Sequence, residues 1–381
     1  MKEELKKDCE LEKGVFGLEI TTTQACNFRC TYCFERSHEP EEQLLDAKIV
    51  IKRVNQLLDT EWFNEQYSGI KLILWGGEPT MNMSLCKQLM EAFRTNEKIC
   101  FFMYTNGSTI DNLIPTLRRL KKCHFIKNTP KLTIQVSYDG NPIHDLRRKN
   151  SKGDPTSPEV KHAIYELDKY GINFGLKSTI TWKDYFLIPE AWEDIKNLNY
   201  IYDESKLKYS LTVDYYNVEF RKYKSQVEDA LIQVSQKEIK FYQEFNHFLS
   251  NIFRSNRAFC ATGKSMAVVD TNGEVFYCHG SIYSKCSEEL KYTNIFNKNF
   301  INSLEKANKF FFDNHIEPIE CENCIASSCL RCNVKKYEES NKESFKDRWY
   351  DYPAQKELCE YYKLVGKVGA AMESFLNRSK K

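Results

Sequence analysis

No apolar run in the sequence is long enough to cross a membrane. The longest, around Lys71–Trp75 and Ile99–Tyr104, fall far short of the roughly 20 residues a spanning helix needs. The N-terminus, MKEELKKDCE, is charged and lacks the apolar stretch of a signal peptide. Neither sign of charge is in excess: 55 Lys and Arg stand against 53 Asp and Glu, a net of +2, so no general attraction to nucleic acid or to an anionic membrane is implied. Low-complexity tracts, Pro-rich linkers and internal repeats beyond a strand–helix alternation are missing too. The expectation is a soluble, cytoplasmic, globular chain. Its 381 residues, 41% hydrophobic and 28% charged, suffice for two domains or slightly more.

Cysteine is what the chain has in quantity, fifteen in all. In a reducing compartment clustered cysteines more often bind metal or do redox work than form disulfides. Cys26, Cys30 and Cys33 form one group and Cys260, Cys278 and Cys286 a looser second. Cys321, Cys324, Cys329 and Cys332 form a third, and Cys359 follows alone. Cys9, Cys86, Cys100 and Cys123 are scattered and read as small apolar residues.

Residues 15–215 alternate between strand-like and helix-like segments. Strands are expected at 15–23, 69–75, 99–105, 132–137, 172–181 and 208–216, with helices at 44–58, 84–94, 111–122 (Asp111 as N-cap) and 158–170. Such alternation argues for a parallel sheet of βα units. A long amphipathic helix is expected at 225–253, then a hairpin turning on Asn272-Gly273, and a helical tail at 354–377. The expected domains are a barrel over 1–224, a connecting helix over 225–256, a cysteine-rich domain over 257–360 and a tail over 361–381.

The strongest chemical signal is Cys26-Asn-Phe-Arg-Cys30-Thr-Tyr-Cys33, directly after the first strand. Three thiolates at this spacing can hold three irons of a [4Fe–4S] cube from one loop. The fourth iron is then open to bind a substrate. A zinc loop is the competing assignment, but zinc wants a fourth nearby ligand, and only His38 follows in 34–43. The loop's position at a strand's C-terminal end is where α/β folds place their sites.

This loop resembles the signature of the radical S-adenosylmethionine (AdoMet) enzymes. The resemblance implies that Tyr32 lies near the adenine. Trp75-Gly76-Gly77-Glu78-Pro79 is similar to the family's glycine-rich second strand end, which receives the methionyl amino group; Glu78 and the surrounding backbone then orient AdoMet. Ser137-Tyr-Asp139-Gly140, followed by His144-Asp145 and Arg148, resembles the fourth-strand segment of the peptide-modifying branch, and Thr105-Asn106-Gly107 its third strand end. By the same analogy Ser137 and Asp139 approach the ribose, with Lys177 and Ser178 as candidates for the carboxylate. The implied fold is α/β: a partial (βα)6 barrel followed by a SPASM-type iron–sulfur domain.

Cys260, Gly273, Cys278, the quartet Cys321, Cys324, Cys329 and Cys332, and Cys359 resemble the SPASM pattern, which implies two auxiliary [4Fe–4S] clusters. One would use Cys260, Cys278 and Cys332, completed by Cys286 or left with an open iron. The other would use Cys321, Cys324, Cys329 and Cys359. Two departures stand out. The quartet's second and third gaps, four and two residues, are each one shorter than the family's usual, and Met266 occupies the place of a further cysteine. Zinc is the alternative occupant of the quartet.

The resemblance implies reductive cleavage of AdoMet to a 5′-deoxyadenosyl radical, hydrogen abstraction from a peptide or protein side chain, and a thioether or carbon–carbon crosslink or a similar oxidation. An electron donor of flavodoxin or ferredoxin type is implied as a partner, as is return of the product's electron to an auxiliary cluster. With the first strand expected by about residue 15, no leader-binding domain of usual size precedes the barrel. Recognition then falls to a separate protein or to the barrel and C-terminal domain. The nearest alternative is sulfatase maturation, making formylglycine from Cys or Ser. Enzymes of that kind carry an Asp base after the cysteine that Cys278 matches, and here His279 stands there, a weak candidate for proton shuttling. Small-molecule radical chemistry and a plain electron carrier are further alternatives; the carrier leaves the glycine-rich segment unexplained.

Overall fold

A computed structural model describes residues 14–34, 45–126, 129–201, 208–214, 218–242, 265–314, 334, 337–338 and 353–378. Six parallel strands run in order: β1 (Gly14–Thr21), β2 (Tyr67–Trp75), β3 (Ile99–Thr105), then, past a two-residue ladder of β4 (His124–Phe125) and β5 (Thr129–Pro130), β6 (Leu132–Ser137), β7 (Phe174–Ile180) and β8 (Lys208–Val213). The helices between them include α1 (Ala47–Leu58), α2 (Glu61–Gln66), α3 (Met83–Ala92), α4 (Ile114–Lys121), α5 (Ile143–Arg147), α6 (Ser157–Lys169) and α7 (Ile188–Ile201). This is the βα alternation of a partial (βα)6 barrel.

Register decides which side chains face where. Ile20, Leu74, Met103, Ile134 and Phe174 are partners in successive strand pairs. They share the buried apolar cluster with Val54, Leu89, Leu117 and Ile164 of the helices. Strand side chains alternate, so Glu19, Thr21, Trp75, Tyr104, Ser137 and Lys177 fall on the opposite, inner face. That face is mixed and polar, and all six residues sit at or near strand C-terminal ends.

The hairpin expected at Asn272-Gly273 is present as β9 (Met266–Val269) and β10 (Glu274–Phe276), with Gly273 at φ 83°. It does not stand apart from the barrel. Strand β9 pairs in parallel with β1, Glu19 opposite Val268, and β11 (Lys291–Asn294) extends the sheet to nine strands. Arg53 of α1, buried, ties the two parts together: its guanidinium donates to the carbonyls of Ile295 at 2.8 Å and Asn297 at 2.6 Å. The tail helix, Pro353–Arg378, returns to the far edge of the barrel, where Tyr361 packs edge-on against Trp182 at 5.1 Å and its hydroxyl meets that of Tyr185 at 3.0 Å.

Two local expectations need correction. Asp111 does not cap a helix; it lies inside the 3-10 turn Ile110–Asn112, and α4 starts at Ile114, with Pro115 in its first turn. Pro115 lacks the N–H that a longer helix would need there. The long helix, α8 (Phe220–Tyr242), begins five residues before the expected Ser225, because Phe220 is fully buried against Trp182 and Tyr361. Residues 243–253 of the expected helix lie outside the described residues.

Candidate active site

Beyond Thr21 the chain runs across the ends of the neighbouring strands, and two glycines set how closely it does so. A Cβ on Gly76 would stand 2.2 Å from the Thr23 carbonyl oxygen, and one on Gly77 2.2 Å from that of Gln24. No other residue fits such an approach. The Gly77 and Glu78 N–H groups then donate to the carbonyls of Thr23 and Ala25, each at 2.9 Å. The cysteine loop and the Gly-Gly-Glu-Pro segment are thus one bonded unit.

Glu78, 1% exposed, clamps this unit to the next strand end. One carboxylate oxygen accepts from the Thr80 N–H at 3.1 Å and from the hydroxyls of Thr80 at 2.6 Å and Thr105 at 2.8 Å. The other accepts from the Asn106 N–H at 2.6 Å. Burial raises its pKa, and the bonds from Asn106, Thr80 and Thr105 offset part of that rise. With both oxygens taken, Glu78 fixes the backbone of the turn. Pro79 is buried and opens the 3-10 turn Pro79–Asn82. Asn106 reaches Asn27 of the cysteine loop at 2.9 Å, and Asn27 donates to Ser108 at 2.8 Å.

The fourth strand end is organised by Asp139, which is fully buried. Its carboxylate accepts from the Tyr32 hydroxyl and Arg148 Nε, both at 2.8 Å, from Arg148 Nη2 at 3.3 Å and from the Thr179 N–H at 2.8 Å. Burial alone would raise its pKa, but Arg148 and His144 bring it below the ordinary carboxylate value. Each oxygen of Asp139 thus accepts two hydrogen bonds from the protein, which hold Tyr32 and Arg148 in place. Tyr32 is held by its hydroxyl, with the Arg148 guanidinium 5.2 Å from its ring centre. Arg148 also reaches the Cys30 sulfur at 3.9 Å. The backbone on either side is paired: Arg29 N–H donates to Lys149 at 2.7 Å and Thr31 N–H to Arg147 at 2.9 Å. His144, its pKa pushed down to about 4 by burial, is a neutral core residue.

Among the described residues, no three His, Cys, Asp or Glu side chains converge as they do around a bound ion. The donor set nevertheless suits an iron–sulfur cube. Cys26 feels the charge of both Cys30 and Cys33, and its sulfur accepts the Phe28 N–H at 3.4 Å. Cys26 and Cys30 are half-buried and Cys33 is exposed. Burial pushes the Cys26 thiol up to about 12 and raises that of Cys30, which Arg148 partly offsets. Both are protonated thiols at neutral pH, so loading the cube releases protons.

Ser137 and Lys177 are register partners on β6 and β7, on the inner face. Lys177 has its pKa lowered to about 8 by burial. Ser178 points the other way, with Leu176 and Ile180 into the helix layer, and its buried hydroxyl has no partner among the described residues. Only Lys177 of this pair stands on the inner face.

Of the C-terminal cysteines, Cys278 and Cys286 are buried in a small cluster with Leu290 and Val334, against Met266. Cys359, half-buried on the tail helix, packs against the main core. Cys260, Cys321, Cys324, Cys329 and Cys332 lie outside the described residues. His279 sits over the inner face: its Nδ1 is 3.0 Å from Glu19 Oε2, and its ring is 4.8 Å from that of Trp75. The Glu19 contact escapes sequence reasoning, which sees only one charged residue in a strand.

Residues 20–199 match the radical SAM superfamily. The chain is 24% identical over 369 residues to a cysteine-type anaerobic sulfatase-maturating enzyme of Clostridium perfringens, covering 89% of this chain and 94% of that one. It is 26% identical over 188 residues to an uncharacterized protein of Methanocaldococcus jannaschii, covering 49% of this chain and only 59% of that protein's length. Two solved structures share the fold. One is anSMEcpe with bound AdoMet and Cp18Cys peptide, at TM-score 0.63 and 20% identity over 95% of this chain and 99% of that one. The other is Streptococcus suis SuiB bound to precursor peptide SuiA, at TM-score 0.56 and 15% identity over 88% and 76%. Among the described residues no helix is long and apolar enough to cross a membrane. The cysteine loop and the Gly-Gly-Glu-Pro turn both lie within the matched segment, so the chain carries a radical SAM domain, for which a [4Fe–4S] cluster and AdoMet are implied.

Proposed function

We propose that this enzyme takes hydrogen from a side chain of a peptide or protein and leaves an intrachain crosslink, a thioether or carbon–carbon bond, or a similar oxidation. The sulfatase-maturating relative and the two peptide-bound structures support a peptide substrate. The observation that favours crosslinking over formylglycine is the residue after Cys278: not an acid but His279, bonded to Glu19.

When bound, the cluster and AdoMet supply a 5′-deoxyadenosyl radical that removes one hydrogen atom from carbon. Cys26, Cys30 and Cys33 hold the cluster. The backbone of 76–79 takes the methionine amine, Ser137 and Lys177 the ribose and carboxylate ends, and Tyr32, fixed by Asp139, the adenine side. A crosslink removes two hydrogens from the peptide, one as an atom and one as a proton plus an electron. The product should therefore be lighter by two hydrogens, with tandem mass spectrometry showing suppressed fragmentation between the linked residues.

A second reading is formylglycine formation from Cys or Ser, favoured by 94% coverage of the sulfatase-maturating relative. An aldehyde product that reacts with a hydrazine probe would establish it and reject the crosslink.

Residues 257–359 are further proposed to hold the two auxiliary clusters on the ligand sets named above, with a flavodoxin- or ferredoxin-type donor and a separate leader-recognition protein as partners. A Cys26→Ala/Cys30→Ala/Cys33→Ala triple variant, reconstituted anaerobically, should retain roughly eight irons per chain, four for each cube, and negligible zinc. Stoichiometric zinc without residual iron would reject this.

A further inference from the structure

Glu19 is a buried carboxylate that its surroundings leave incompletely matched. It has no exposed surface, and burying a charge is costly unless it is paired and hydrogen-bonded. Oε2 meets His279 at 3.0 Å, while Oε1 has no partner among the described residues. No Lys or Arg among them forms an ion pair with it.

Aromatic rings cluster around His279, the partner of this carboxylate. Trp75 lies 4.8 Å from the His279 ring, and Phe34 stacks on Trp75 at 5.8 Å and 14°. Tyr283 meets Phe34 edge-on at 5.0 Å, and Tyr104 meets Trp75 at 5.8 Å. Tyr104 senses the charge of Glu19 directly, which adds to the rise in its pKa that burial causes. All five rings are half-buried. Strand pairing explains the assembly: Glu19 stands opposite Ile73 of β2, one pair deeper along the inner face than Trp75, and β9 carries the hairpin that delivers His279. Ring faces attract cations, and a carboxylate at the base of such a group fixes the sign of its ligand.

We propose that Glu19, Trp75, Tyr104, Phe34, His279 and Tyr283 form a box for the cationic side chain of a lysine or arginine in the substrate, seated beside the residue that is modified. The assignment of its occupant to a substrate rests on the peptide-modifying reading.

Anaerobic titration calorimetry on reconstituted, AdoMet-loaded enzyme tests it, with Nα-acetyl-lysine amide against the uncharged Nα-acetyl-norleucine amide. The lysine compound should bind at least tenfold tighter, and Glu19→Gln should lower its affinity at least tenfold while leaving the norleucine compound unchanged; tenfold is about 1.4 kcal/mol. Glu19→Gln conserves shape, and a thermal melt verifies folding. Trp75→Leu, which keeps the carboxylate and removes a ring, should also weaken the lysine compound. Equal binding of both compounds, or lysine affinity that survives Glu19→Gln, overturns the proposal. Selective, Glu19-dependent lysine binding in an enzyme that modifies no peptide would support the box and reject the peptide reading, so the two failures are distinguishable.

Discussion

Replacing Cys26, Cys30 or Cys33 with Ala is expected to reduce 5′-deoxyadenosine formation from AdoMet to the enzyme-free background. A loss on the order of 10³-fold or more corresponds to about 4 kcal/mol of barrier. On the proposed ligation each thiolate would hold a different iron, and the described loop carries no His or further Cys to replace it. The loop itself should survive, because its shape depends on backbone pairing to 147–149 and on the Gly77 and Glu78 N–H groups rather than on the sulfurs. If the proposed auxiliary clusters are present, their iron should persist, since the C-terminal cysteines are separate in sequence. Quantifying 5′-deoxyadenosine by chromatography alongside iron checks this, and continued cleavage in any single variant rules out the assignment.

The second large effect concerns stability. Asp139→Ala should destabilise the fold by roughly 3–5 kcal/mol, because it strands the buried Arg148 guanidinium without its counter-charge. It also frees Tyr32 and the Thr179 N–H. Removing both charges in Asp139→Ala/Arg148→Ala should cost less than the sum of the single variants, as buried pairs do, and denaturant titration measures the difference. The pH dependence has a definite sign. The folded pKa of Asp139 is lowered, so its contribution is complete above the unfolded value of about 3.9 and is lost as pH falls through the folded one. Wild type should lose this stability in acid, whereas the double variant should lack that component.

Local chemistry was legible in the sequence and long-range chemistry was not. The strand 132–137 and its neighbour 99–105 appear at the expected bounds, because β-rich apolar runs stopped by Asn-Gly or Asp-Gly turns leave little freedom. The cysteine loop and the glycine turn could be named from spacing, and their mutual hydrogen bonds follow from the glycines. Glu78 and Asp139 could be singled out from their motifs, but sequence cannot show that their oxygens bond to Thr80, Asn106, Tyr32 and Arg148. Lys177 and Ser178 could not be separated until the strand's alternation was anchored by register. The contact between Glu19 and His279 joins positions 260 residues apart, and no local pattern carries information at that distance.

The docking of the hairpin on β1 has a consequence for how the chain is made. In the finished sheet β1 is an interior strand, flanked by β2 and β9. On the ribosome it is an edge, because Met266 of β9 follows Thr21 by some 245 residues. At about 5–20 residues per second that interval lasts roughly 12–50 s, during which one row of β1 backbone groups has no strand to pair with. Exposed edges of this kind template aggregation, and an inward-pointing charge in the strand is one of the protections proteins use. Glu19 is such a charge. It guards the nascent edge before β9 arrives and meets His279 afterwards, so a chain released before the hairpin is made keeps an open, sticky strand beside its cysteine loop.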